Sequence, residues 1–144
     1  MNWTIKSFNS LTPEELYQCF RLREQVFFLE QKVDCEDMDN LDQFALHLFA
    51  GEPVNSYCRI FGPADNADYC KIGRVVVAQS ERGNGVGRAL MQAAISICKN
   101  DWPQAAIKIS AQLYLQKFYE ELGFVVNGDQ FDEGGIPHYP MILE

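Results

Sequence analysis

The chain predicts an α/β fold, more closely an α+β arrangement in which a central mixed β-sheet is flanked by helices, and three observations carry that reading. Strand-like and helix-like segments alternate in the order β-α-β-β-β-α-β-α-β-β. A glycine-rich loop, Arg82-Gly-Asn-Gly-Val-Gly-Arg88, joins an apolar strand to a long helical pattern. Apolar residues make up 47% of the chain, enough to fill a sizeable core. The 144 residues are expected to form a single domain spanning residues 1–144, since one core commonly holds about 100–150 residues.

The first strand is read at residues 3–8. Leu11-Thr-Pro-Glu-Glu-Leu16 then carries a helix start: Thr12 as the cap, Pro13 where its missing N–H is harmless, and Glu15 closing a capping box. Leu16, Cys19, Phe20, Leu22, Val26, Phe27 and Leu29 continue one apolar face toward Glu30. Strands are expected at residues 45–49, 56–61 and 71–78, with turns at Gly51-Glu-Pro53 and at residues 62–66. From Val86 on, Ala89, Leu90, Ala93, Ala94 and Ile97 keep the spacing of a helix packed on a sheet, which ends near Asn100, before Trp102-Pro103. Residues 105–110 read as a buried strand. Leu115, Phe118, Tyr119 and Leu122 give a short helix face stopped by Gly123, and residues 124–126 and 139–143 close the sheet. The order starts antiparallel and becomes βαβ-like, hence the mixed sheet.

Composition excludes several classes. Twelve basic against 20 acidic residues give a net charge of −8, which repels a polyanion and argues against nucleic acid as a partner. No apolar run approaches the roughly 20 residues of a membrane span, so no membrane is expected. The start lacks the basic and apolar segments of a secretory leader, and a cytoplasmic location is expected. The five cysteines, Cys19, Cys35, Cys58, Cys70 and Cys98, are odd in number and irregularly spaced, and the histidines are only His47 and His138, so neither a disulfide framework nor a metal site is indicated. Asp34, Glu36, Asp37, Asp39 and Asp42 crowd one short stretch without the glycine and distal glutamate of a calcium loop. It reads either as a solvated loop or as a rim that attracts a cationic amine.

The loop at 82–88 has the chemistry of a diphosphate socket. Glycines at 83, 85 and 87 let several backbone N–H groups converge on one anion, and the helix that follows adds its positive end. A nucleoside-triphosphate loop is excluded, because Arg88-Ala89 stand where Lys and a hydroxyl residue are required. A dinucleotide loop is disfavoured by Leu90 at the third glycine position and by the loop's place behind several strands.

What the loop resembles, as Arg82-x-x-Gly85-x-Gly87, is the Gln/Arg-x-x-Gly-x-Gly/Ala pattern of the GNAT superfamily of acyl-CoA-dependent N-acyltransferases. Ile72-Gly-Arg-Val-Val-Val77 resembles that family's central strand, and Leu115-Gln-Lys-Phe-Tyr-Glu-Glu-Leu-Gly-Phe124 its later Tyr-x-x-x-Gly-Phe segment. Arg23-x-x-Val26-Phe27-x-x-Glu30-Gln31, the acidic stretch and Gly135-Ile-Pro-His138 are similar to the ElaA-like branch, so the likeness spans about residues 16–141.

This resemblance implies a GNAT acyl-CoA N-acyltransferase fold, acetyl-CoA (coenzyme A) as cofactor with no metal, and a primary amine of a small molecule or peptide as acceptor, attacked directly in a ternary complex. Backbone groups of Val75 and Val77 would pair with the pantetheine arm, and an N–H near Val76 or Val77 would donate to the developing oxyanion. The pyrophosphate would rest on Gly83, Asn84, Gly85, Val86, Gly87 and Arg88, with Arg82 and Arg88 as charged contacts. Gln112 stands near a position where many members carry a cofactor-touching asparagine. Tyr119 is the implied general acid, although periodicity alone makes it a core tyrosine. Glu30, Arg74 and His138 are the candidate substrate-site residues, with Asp39 and His47 as further candidates for the base; a structural ion pair is the competing account of Arg23 and Arg74. A homodimer is expected from similar proteins. The alternatives are a non-catalytic acyl-CoA-binding regulatory module and an acyltransferase for longer acyl-CoA.

Overall fold

In the computed structural model of the chain, which describes residues 2–64 and 67–144, Thr12 caps the first helix as its sequence requires. Its Oγ1 accepts from Glu15 N at 3.1 Å, and Glu15 Oε1 accepts from Thr12 N at 2.9 Å. Strand β1 is Thr4–Ser7 and helix α1 is Pro13–Arg23. The helix does reach Glu30, but Glu24–Glu30 winds as a π-helix, with Gln31 N donating to Val26 O at 2.9 Å. The apolar spacing runs through Val26 unchanged and carries no mark of the wider turn.

Strands β2 (Leu46–Ala50), β3 (Ser56–Phe61) and β4 (Tyr69–Val77) follow as antiparallel neighbours. Helix α2 (Val86–Asp101) crosses to β5 (Ala106–Gln112), which pairs parallel with β4. A short helix α3 (Gln116–Glu121) leads to β6 (Val125–Val126), β7 (Phe131–Glu133) and β8 (Ile136–Leu143). The sheet runs β1-β2-β3-β4-β5-β8-β6, and β7 hangs on β8. Thus the mixed sheet flanked by helices is present, with one strand, β7, that the sequence reading lacked. The turn read at residues 62–66 includes residues 65 and 66, which lie outside the described residues.

Adjacent residues of one strand serve opposite faces of the sheet. Leu48 and Cys58 join Leu90, Met91, Ala94 and Cys98 of α2, whereas their chain neighbours Phe49 and Tyr57 join Cys19, Leu22 and Val26. Helices α1 and α2 therefore cover opposite faces. Leu90 is fully buried, and its replacement by alanine is expected to cost about 2–5 kcal/mol.

The feature that places the site is where β4 and β5 separate. Their ladder holds only at Tyr69, Cys70 and Lys71, opposite Ala106, Ile107 and Lys108. Beyond it β4 runs on to Val77 and β5 to Gln112 with no rungs between them. On its other edge β4 slips register against β3 between Tyr57 and Arg59, and Arg74 there takes a left-handed φ of 51°. Such a bulge raises local twist and bends the strand, which accounts for β4 turning away.

Candidate active site

The notch left by the parting strands is closed at one end by the loop at 82–88. Gly83 and Gly85 adopt φ of 85° and 79°, conformations that cost a side-chain-bearing residue roughly 1–2 kcal/mol. A Cβ added at either position meets nothing within 4 Å, so the space beside the loop is open. The amides of residues 83–88 find no acceptor among the described residues, and Ala89 N is the first to close a helical bond, to Gly85 O at 3.1 Å. Unpartnered N–H groups at the start of a 16-residue helix favour an anion, so these residues fit the pyrophosphate of an acyl-CoA.

The two arginines of the loop are already matched. Arg82 forks onto Glu30, with Nη2 to Oε1 at 2.8 Å, and also donates through Nε and Nη2 to the Val77 carbonyl at 3.2 and 3.1 Å. Arg88 donates to Glu121 at 2.7 Å and lies over the Phe118 ring. Glu30, expected on the acceptor side, is paired here with Arg82 of the loop. Its neighbour Gln31 accepts from Gln112 Nε2 at 3.0 Å. Adjacent residues at the end of the π-helix therefore hold both arms of the notch, one through Arg82 and one through the end of β5.

Tyr119 is buried on α3, with its ring edge-on to Phe118 and Phe124 at 5.1 and 6.0 Å. Burial pushes the phenol pKa well above its ordinary value, so the hydroxyl keeps its proton at neutral pH. Phe118 beside it comes within 3.9 Å of where a Cβ on Gly87 would stand, which ties α3 to the start of α2.

On the α1 side, a groove of about 1350 Å³ reaches the notch, since its lining includes Arg74 of β4 and Gln112 of β5, with His138 beside Gln112. His138 sits within β8, opposite Gln112, because the turn before it closes at Gly134 and Gly135. Its Nδ1 donates to Ile136 O at 2.7 Å and the ring stacks on Phe131, while Nε2 is 3.7 Å from Glu133. A backbone carbonyl on Nδ1 leaves Nε2 as the lone-pair nitrogen. The groove thus brings together Arg74 and His138, but not Glu30.

The acidic stretch is neither a free rim nor a wholly solvated loop. Asp42 accepts from Arg23 Nη1 at 2.8 Å and from Arg59 Nη1 at 3.0 Å; Asp37 accepts from Arg23 Nε at 2.9 Å; Asp39 takes Arg59 Nη2 at 2.6 Å. Arg74 joins them, with Nε 2.9 Å from Asp37 Oδ1, although off the hydrogen-bond axis, and Nη2 3.3 Å from Asp39. Arg23 is fully buried, and such a cation stays charged only with partners at contact. The structural ion pair is therefore the account of Arg23 and, in part, of Arg74. His47 belongs to the same cluster. Its Nε2 donates to Asp42 O at 2.9 Å, so Nδ1 accepts from the Tyr57 hydroxyl at 2.7 Å, and burial lowers its pKa. Both lone-pair and N–H capacity are used internally, as is the Asp39 carboxylate, so neither group is disposed to act as the base.

Sequence reasoning missed Arg59, the aromatic wall of the groove and the Gln31–Gln112 bond. The one available signal was Val26-Phe27-Phe28-Leu29, more apolar in succession than one buried face requires.

A strand pair that opens beside a glycine loop with unpartnered amides suits an acyltransferase. The chain belongs to the GNAT family: the family described as "Acetyltransferase (GNAT) domain" matches residues 11–144. It is similar to protein ElaA of Escherichia coli strain K12, 32% identical over 148 residues that cover 100% of this chain and 97% of that one. Among solved structures, an acyl-CoA N-acyltransferase from Pseudomonas aeruginosa superposes with a TM-score of 0.93 at 34% identity, covering 100% of both chains. The crystal structure of Escherichia coli ElaA superposes at 0.92 with 31% identity and 99% coverage of each. Among the described residues no helix is long and apolar enough to cross a membrane, and no cluster of His, Cys, Asp and Glu has the geometry to hold a metal.

Proposed function

We propose that the chain, as a single catalytic domain, transfers an acetyl group from acetyl-CoA to a primary amine by direct attack in a ternary complex. The observation that supports this most is the coincidence of unpartnered amides at 83–88, an unladdered β4 edge and a groove that opens onto the same notch. Acetyl-CoA supplies an activated thioester and a thiolate leaving group. The chain's own work is to bind the diphosphate at the α2 N-terminus, lay the pantetheine along residues 75–77, and hold amine and carbonyl in contact. Orientation of this kind contributes up to roughly 7–11 kcal/mol of the barrier. A backbone N–H near Val76 or Val77 stabilises charge on the carbonyl oxygen, and Tyr119 gives its proton to the sulfur. His138 Nε2 takes a proton from the incoming nitrogen, directly or through water, a role supported by the Ile136 carbonyl on its Nδ1. Four buried, unpaired thiols suit a reducing compartment such as the cytoplasm.

The test is a melting curve with and without acetyl-CoA, with NADH as control, followed by a free-thiol assay over a panel of amines. A ligand that binds only the folded chain raises the melting temperature, and a shift with acetyl-CoA alone is expected. No shift at millimolar acetyl-CoA would sink the reading. Binding without thiol release from any amine would replace it with a non-catalytic module, and stronger shifts with long-chain acyl-CoA would replace the acetyl donor.

A further inference from the structure

We infer that the groove on the α1 side takes a primary amine carried on a large apolar body, such as an arylalkyl or alkyl amine; this rests on the acyl-transfer reading above. A volume of about 1350 Å³ is far more than a short polar amine fills, since sites for small molecules run about 300–1,000 Å³. The walls are what that volume needs explained. Tyr17, Phe20, Phe27 and Phe28, from α1 and the π-helix, line it together with Met38 and Leu41 of the acidic stretch. Tyr17 and Phe28 are each 65% exposed and Met38 and Leu41 are 48% and 47% exposed, so large apolar side chains stay wet inside a concavity.

Charge selects the other end of the ligand. Arg23, Arg59 and Arg74 line the groove, but they are cancelled by Asp37, Asp39 and Asp42 and offer no excess cation to a carboxylate or phosphate. Glu24, Glu36 and Glu133 remain, against Arg21 and Lys71. The slight acidic excess suits one ammonium and gives a polycation little to gain. Since Arg74 and Gln112 come from the two arms of the notch and His138 pairs with Gln112, the nitrogen points to that end and the apolar body lies back along the aromatic wall. The ammonium first loses a proton. The neutral nitrogen then bonds to the acetyl carbon as the carbon–sulfur bond breaks. The nitrogen gives its second proton to His138 Nε2 and the sulfur gains one from Tyr119; His138 releases its proton to solvent and Tyr119 recovers one from it, so the products are an N-substituted acetamide and free thiol.

The inference is tested with the full chain and acetyl-CoA against 2-phenylethylamine, hexylamine, ethylamine and putrescine, reading thiol release. The apolar amines should exceed ethylamine and putrescine in kcat/KM by about tenfold or more, the scale on which apolar pockets discriminate. Phe28→Ser and Tyr17→Ser, both at exposed positions where folding tolerates change, should cut the advantage of 2-phenylethylamine at least about fivefold with melting temperatures held. Equal or faster reaction of putrescine overturns the inference while leaving acyl transfer intact. The same holds if both serine variants keep the full preference. Thiol release with none of the four amines also overturns it, and the acetyl-CoA melting shift then says whether the acyl-transfer reading survives.

Discussion

Glu30 grips Arg82 through both guanidinium nitrogens, while Arg82 also caps the carbonyl of Val77 at the end of β4. The pair links the π-helix to the cofactor loop across 52 positions of sequence. Both side chains are more than a third exposed, so the pair itself contributes only about 0.2–1 kcal/mol to stability. Its weight lies in placement. Glu30→Gln is expected to leave the melting temperature within a few degrees while weakening acetyl-CoA binding severalfold, most visibly at low salt. An unchanged dissociation constant at 20 mM salt would show that the loop holds its shape without this clasp.

Tyr119→Phe separates the two accounts of that residue. No hydrogen bond contributes to the environment of its hydroxyl, so losing the oxygen should leave stability nearly intact. Turnover should fall about 10²-fold or more with the KM for acetyl-CoA held, the pattern of a lost general acid. Unchanged turnover assigns Tyr119 to the core alone.

The buried ionic cluster makes stability depend on acid. A bond from Arg59 holds the Asp39 carboxyl far below the usual range; burial pushes Asp42 up, but Arg23 and Arg59 more than offset it, and the net is downward. A folded pKa below the unfolded one stabilises the chain above the unfolded value of about 3.9, and that stability is lost as pH falls through the folded values. Urea midpoints should therefore be lower at pH 3 than at pH 7, and Asp39→Asn should flatten that difference. Arg23→Met, which leaves Asp42 short of a partner, should cost about 3–5 kcal/mol at pH 7. Equal midpoints at pH 3 and pH 7 would contradict this account.

Thiol chemistry offers an independent check of the groove. Burial pushes Cys19 and Cys98 up to about 12 and raises Cys58 and Cys70 as well, whereas Cys35 is exposed and lines the groove. A disulfide reagent should label Cys35 alone in the native chain, and Cys35→Ser should remove the reaction. A bulky adduct there should raise the KM of an apolar amine and leave the acetyl-CoA melting shift in place. Rapid labelling of a second thiol would mean that the core opens more readily than its packing implies.

How much of this was legible in the sequence varies with the range of the interaction involved. The Thr12–Glu15 box, the start of α2 at Val86 and the stop at Gly123 are local, and their residues read directly as caps and turns. The turn of the glycine loop at 82–88 was legible for the same reason. The π-turn at Glu24–Glu30 was not, because Val26 satisfies helical spacing either way. Strand β7 is too short and too polar, as Phe131-Asp-Glu133, to announce a period. The carboxylates of the acidic stretch looked free because their partners, Arg23, Arg59 and Arg74, come from three other elements that only the fold brings together. The Glu30–Arg82 pair was hidden for a related reason: nothing near Glu30 in sequence hints at a partner 52 positions away.

The short ladder between β4 and β5 also bears on the mechanics of the molecule. Rungs at only Tyr69, Cys70 and Lys71 join the strands built before α2 to those built after it, so the sheet is a pair of leaves sewn along a short seam, with α2 as the backing. An extended ligand along residues 75–77, as proposed above, would add the missing stitches and is expected to stiffen the two leaves into one board. The groove takes lining from both leaves, Arg74 from one and Gln112 from the other, so its walls are joined across the same short seam.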